Sequence, residues 1–509
     1  MPPGSICRDR RNIEGSRQCG NYAFAWRVNA MVNNLEVSRI IMTNRSPHSQ
    51  SPFSVANVRL FIAFRILFNA RFYYPVLAIL FLDFGLTAQQ YALLNVAWAA
   101  SIVLLEVPSG ALADTLGRRN LLRACSWFMV LEMGILTFAP RGDPDHLFVL
   151  FLLNRILSGA AEAMASGADE ALAYDSLQQA GLQEKWSRVL EVLMRWQSVA
   201  FVIALSMGGI LYDNHLLQGM ADGLGLQVSI EKGFTMRIPL FLVFVQSLVL
   251  VVVTWRMCEV LGGGERAEKA ARLNCSRLEL ARHSTIQAFA TTLKAGRWIL
   301  ATPFAFVIIL FGLFFDSIIR VFLTFNSQYF RIIELPEASF GVIGAAFAAL
   351  GIALSSVARN LAENRTPLFN AGLLILLTIA GLSGLAFHTP YWGLIPVIPL
   401  MIVMTLLGFF VSYYLNRVTA SAERATVLSF RGLAFNLAYG VVGMLFAGLL
   451  KALRHPLMEA HPGLAGPALE DRVFAASLNY WLPWFLATLV AVTLISLWKF
   501  KQSRNTKGR

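Results

Sequence analysis

The sequence predicts an all-α membrane protein of twelve transmembrane helices in two six-helix, pseudo-symmetric halves, and three observations predict it. Hydrophobic residues fill 56% of the 509 positions and charged residues 14%, whereas soluble domains carry about a quarter charged residues. Apolar runs of roughly 20 residues, the length that crosses a bilayer, recur about twelve times. The longest polar interruption, Arg256 to Arg297, divides those runs six and six. Open β-sheet is excluded, because lipid offers nothing to unpaired backbone groups.

The elements follow in order. Residues 1–56 read as a disordered cytoplasmic tail: the first fifty hold seven arginines and lack the apolar core of a signal peptide. The polar run MTNRSPHSQSPFS before the first span makes Met42 a candidate start of translation. The amino-terminal half, 57–256, takes spans at 57–82, 90–111, 121–139, 147–171, 189–212 and 237–256. A central cytoplasmic loop, 257–298, opens on the breaker GGGE. Leu273, Leu280, Phe289 and Leu293 then recur at helical spacing, which predicts one or two helices lying under the membrane. The carboxy-terminal half, 299–500, takes spans at 299–325, 337–358, 367–387, 391–416, 426–450 and 474–499, followed by a basic cytoplasmic tail, 501–509.

The net charge of +13 is distributed over alternate loops rather than gathered into a nucleic-acid surface. Arg118, Arg119, Arg123, Lys185, Arg188, Arg359, Arg365, Arg417 and Arg424 fall on one side, while the opposite loop DFGLTAQ has no Lys or Arg. By the positive-inside rule both termini are cytoplasmic. Cys7, Cys19, Cys125, Cys258 and Cys275 show neither metal-site nor disulfide spacing. No metal or cofactor is expected. The chain lacks G-x-x-x-x-G-K-[ST], H-E-x-x-H and G-x-S-x-G, which argues against ATP drive and against a membrane-embedded enzyme.

Between spans 2 and 3 the chain reads EVPSGALADTLGRRN, residues 106–120. Gly110, Asp114, Gly117, Arg118 and Arg119 fit G-x-x-x-D-x-x-G-R-[KR], and a degenerate copy, SSVARNLAENRTPLF, falls after span 8. This pattern resembles the signature loop of the major facilitator superfamily, and the resemblance extends over the whole chain from residue 57. It implies a secondary active transporter working by alternating access and not a channel. EVPSG, SGADEALAYDSL and ERATVLSF are similar to a bacterial branch of unassigned substrate, which implies a multi-pass protein of the bacterial inner (plasma) membrane, functional as a monomer. The resemblance also implies a conformational latch. Asp114 would face the start of span 11, where Glu423 and Arg424 lie, and Arg118 would meet carboxylates at the end of span 4, among them Asp169 and Asp175. Gly110 is read as allowing close helix approach and Gly117 as permitting a tight turn.

Ionisable residues deep in a span are costly and mark function or partners. Arg65, Asn69 and Arg71 in span 1, Arg155 and Glu162 in span 4, and Asp316 and Arg320 in span 7 form the candidate substrate and proton site. Arg155, Glu162 and Asp169 are seven apart, on one helical face, and are expected to line a central cavity with Asp169 at its mouth. Asp316 and Arg320 can pair along their helix. Glu162, nearest mid-depth, is the first candidate for proton exchange. Arg65, Arg71 and Arg155 would suit an anionic solute if they face the cavity, because guanidinium offers a fork of donors; alternatively they pair with acids or snorkel. A drug or metabolite efflux antiporter is the alternative reading. Span 5 carries ALSMGG, with Gly208 and Gly209 but without the proline of the antiporter element.

Overall fold

The computed structural model describes residues 51–260, 277–419 and 424–507. The Met42 start, Cys7, Cys19, Cys275, Glu423 and nearly all of the expected amino-terminal tail lie outside them. From Val55 onward the chain forms one compact unit. The described residues are helical, with no strand among them, and twelve helices are long and apolar enough to cross a membrane. The chain is a multi-pass membrane protein.

Span 1, Ala56–Phe84, is a broken helix. Its first part, Ala56–Asn69, and its last, Leu77–Phe84, are separated by a turn around RFYYP. Pro75 has no N–H to donate, and freed carbonyls must be satisfied locally within the bilayer. Arg71 Nε donates to the Phe68 carbonyl at 3.1 Å, and Gln246 Nε2 donates to Leu67 and, at 3.0 Å, to Ala70. Span 4 is broken too: Pro144–Ala165 ends before Gly167, at φ 76°, and Ala168–Gln179 follows. This corrects the continuous face expected for Arg155, Glu162 and Asp169. The seven-residue spacing loses its meaning across the kink, so Asp169 points elsewhere than Glu162.

The start of span 1, the end of span 4 and the end of span 6 share one end of the molecule. There Asn57 Nδ2 donates to Ser176 Oγ at 2.8 Å and to the Cys258 carbonyl at 2.7 Å. The signature loop lies at this end, hereafter the motif end. Spans 2 (Ala88–Ala113) and 11 (Thr426–Ala460) pack extensively across the halves, as do spans 5 (Gln183–Tyr212) and 8 (Glu337–Asn364). In the second crossing, a Cβ on Gly341 would stand 1.8 Å from the Leu205 carbonyl oxygen, and within the amino-terminal half one on Gly208 would stand 1.7 Å from that of Phe72 in span 1. Backbones touch where only glycine fits. Of the central loop, one helix is described, Arg277–Ala301, packed against spans 2 and 11 with Ile286, Phe289 and Leu293 exposed.

Candidate functional site

The signature loop is built around a backbone corner. Span 2 stays helical to Leu116, Gly117 turns the chain at φ 96° and ψ 143°, and span 3 starts at Arg118. The first N–H groups of a helix lack internal partners and favour an anion. Glu259, just after span 6, supplies it: its carboxylate accepts from Arg118 N at 3.2 Å and Arg119 N at 2.9 Å. A Cβ on Gly117 would lie 2.8 Å from that carboxylate, so glycine is needed for room as well as for its dihedral angles. The Arg118 guanidinium is ion-paired with Asp175 of span 4. Gly110 does not hold two helices together, as its sequence context suggested: a side chain there would meet nothing within 4 Å, and the residue borders a cavity. The side chains of Asp114 and Arg424 lie, like Glu423, outside the described residues.

Deeper in, most of the predicted cations have acids of their own. Arg65 Nε is 2.5 Å from Asp169, which is 1% exposed, and its Nη2 is 4.0 Å from Glu170. Asn69 donates to the Arg65 carbonyl at 2.8 Å and so serves its own helix. Arg71 is buried against Glu132 of span 3, an acid the sequence reading passed over. Its signal was present, a lone carboxylate inside the apolar run MVLEMGIL. Arg155 has no carboxylate beside it among the described residues; it donates to Asn95 at 3.4 Å and lies 5.3 Å from the Phe81 ring. Arg320 bridges Asp316 at 2.6 Å and Asn436 of span 11 at 3.0 Å, 5.4 Å from the Tyr439 ring centre.

Glu162 stands apart. It is enclosed by the bundle yet open to a cavity of about 500 Å³ between the halves, bordered by Arg65, Trp98, Glu106, Glu162, Glu170 and Asn436. The charged groups that act on Glu162 are Arg71, Glu132 and Arg65, from spans 1 and 3. Among the described residues neither Glu162 nor Glu106 has an ion-pair partner. The cavity shares Glu106, Ser166 and Gly167 with a second one of about 420 Å³, which reaches Gly110 and Arg118 and is walled by Ala288 and Thr292 of the connector helix. A polar path therefore leads from Glu162 to the motif end.

The opposite end is closed by charges that the sequence reading did not single out. Arg331, after span 7, reaches Asp83 of span 1 at 2.8 Å and Asp471 of span 12 at 2.8 and 3.0 Å. Tyr212 donates to Asp83 at 2.6 Å. Lys232 pairs with Glu337, Asp213 accepts from Ala338 N at 3.1 Å, and Glu470 accepts from Ala88 N at 2.8 Å. Apart from Tyr212 with Asp83 and Arg331 with Asp471, each of these contacts joins one half to the other. Their signal, isolated charges at span ends, is indistinguishable in sequence from ordinary interfacial residues.

Two six-helix halves around a polar cavity, tied to each other by ion pairs at one end, are the architecture of a membrane carrier. The chain belongs to the Major Facilitator Superfamily, which it matches over residues 60–444. It is a transporter with a secondary-carrier fold, not an enzyme. Among solved structures it is similar to a bacterial homologue of the human lysosomal transporter Spinster, inward-facing and unoccupied. That pair is 18% identical over 90% of this chain and 98% of the other, with TM-score 0.63. It is also similar to the nucleoside transporter NupG (15%, 87% and 98%, TM-score 0.56) and to a D-xylose–proton symporter (12%, 84% and 96%, TM-score 0.54). At such identities these neighbours share the fold. No curated protein matches the sequence.

Proposed function

We propose that the chain is a proton-coupled secondary transporter of a small organic solute, working as a monomer by alternating access in a bacterial plasma membrane with both termini in the cytoplasm. The observation that carries the reading is Glu162, a carboxylate without an ion-pair partner among the described residues, inside a cavity that leads to the motif end. Carboxylates so placed are the usual proton carriers of transporters. The D-xylose–proton symporter, which shares the fold, lends support for the proton as coupling ion. Arg118, Asp175 and Glu259 brace the motif end within the amino-terminal half, and the latch between the halves would be Asp114 against the start of span 11, releasing and re-forming as the halves rock.

The test is solute flux in sealed proteoliposomes under an imposed pH gradient, with labelled organic cations, anions and neutral compounds. Saturable, gradient-driven flux is expected, and Glu162→Gln should abolish its dependence on the gradient. Full proton-driven flux in Glu162→Gln would remove the assignment of that residue.

A further inference from the structure

The cavity gives the place of the solute, and its charge gives the sign. We infer that the solute carries a positive charge, a monovalent organic ammonium or related cation; the inference rests on the carrier reading and refines it. Three carboxylates, Glu106, Glu162 and Glu170, border the cavity against one guanidinium, Arg65. That guanidinium is already committed, 2.5 Å from the buried Asp169 and 4.0 Å from Glu170. Arg71, the other cation acting on Glu162, is held by Glu132. Arg320 is held by Asp316 and Asn436. Arg155, which has no acid beside it among the described residues, does not border this cavity and faces Asn95 and Phe81. The arginines that made an anionic solute attractive in the sequence are thus compensated or turned away, and the groups that border this cavity without an ion-pair partner among the described residues, Glu106 and Glu162, are acids.

The apolar part of the lining agrees. Trp98 and Phe68 border the same cavity as the free carboxylates, and aromatic faces attract cations, indole most of all. An anion entering here would meet two uncompensated carboxylates at short range, in surroundings where charge is poorly screened. An ammonium group would give Glu162 and Glu106 the partner they lack and set its hydrocarbon part against the rings. At about 500 Å³ the cavity has room for a solute the size of a small aromatic amine.

The experiment is calorimetric titration of the purified full chain with benzyltrimethylammonium and, separately, with phenylacetate, two probes of similar size and opposite charge. The cation should bind at least about tenfold more tightly than the anion. Glu162→Gln and Glu106→Gln should each weaken the cation about tenfold and leave phenylacetate unchanged or improved, and Trp98→Ala should weaken the cation as well. Phenylacetate binding as tightly as the cation, binding of neither, or cation binding indifferent to both glutamine variants overturns the inference. Binding in detergent does not depend on turnover, so the charge assignment and the carrier reading fail separately. Saturable anion counterflow without cation flux sinks the first alone, and cation binding without saturable flux of any solute sinks the second alone.

Discussion

Gly117 and Glu259 show how much one corner of backbone decides. A φ of 96° with ψ of 143° lies in a region nearly reserved for glycine, and the carboxylate of Glu259 fills the space a methyl group would need. Gly117→Ala should therefore cost about 1–3 kcal/mol, read as a lower melting temperature of the detergent-solubilised protein. Glu259→Gln, which keeps the shape and loses the charge at the start of span 3, should cost less, about 0.3–1 kcal/mol. A Gly117→Ala protein that melts with the parent would refute this account. At this scale the sequence was half legible. Gly117, Arg118 and Asp175 could be picked out because the loop has a recognisable pattern, and Glu162 because a charge in mid-span is conspicuous. Glu259 could not, since it follows span 6 with no periodicity or motif to tie it to a glycine 142 positions earlier. Gly110 was misread because a small residue in a helix looks the same whether it faces a neighbour or an empty cavity.

The element that deserves the name of a joint is span 1. Its break at RFYYP is satisfied by side chains from its own turn and from span 6, and Arg71 pairs there with Glu132 of span 3. With Arg71 2% and Glu132 1% exposed, removing either charge leaves the other stranded. Arg71→Met or Glu132→Leu alone should lose about 3–5 kcal/mol, whereas the double substitution should recover much of the stability, because an apolar pair of similar volume replaces a desolvated ionic one. Thermal unfolding of the three variants, set against the parent, checks this; a double variant no better than the singles would contradict it. The twelve spans were legible because lipid forces long apolar helices on the chain. The breaks in spans 1 and 4 were not, because hydropathy averages over a kink. Span 12, a helix from Gly466 to Lys507, outran its expected limits for the related reason that a helix continues into water where the apolar signal stops.

At the scale of the whole molecule, the ion pairs opposite the motif end oppose separation of the halves there. Ser327, fully buried after span 7, accepts hydrogen bonds from Ala78 N and Ile79 N of span 1 and so reports on that closure. A cysteine placed there, Ser327→Cys, should react slowly with a membrane-impermeant maleimide in the parent and about tenfold faster once Arg331→Ala unties Asp83 from Asp471. Equal rates would show that the pairs do not hold the end shut. Alkali should not substitute for the mutation. Burial works to lower the Arg331 guanidinium, but Asp471 and Asp83 hold it above its ordinary value, so its contribution is fully present below the unfolded value, which is itself far above neutral pH. The ratio of Ser327→Cys labelling rates with and without Arg331→Ala should accordingly stay constant between about pH 7 and about pH 9, the rise in thiolate cancelling from it. Within the proposed mechanism, the missing partner of Glu162 has a further consequence. A carboxylate that accepts either a proton or a monovalent cation, never both together, returns one positive charge for each it delivers. Such an exchange is electroneutral: clamping the membrane voltage with valinomycin and potassium leaves its rate alone, and dissipating the pH gradient with nigericin stops it.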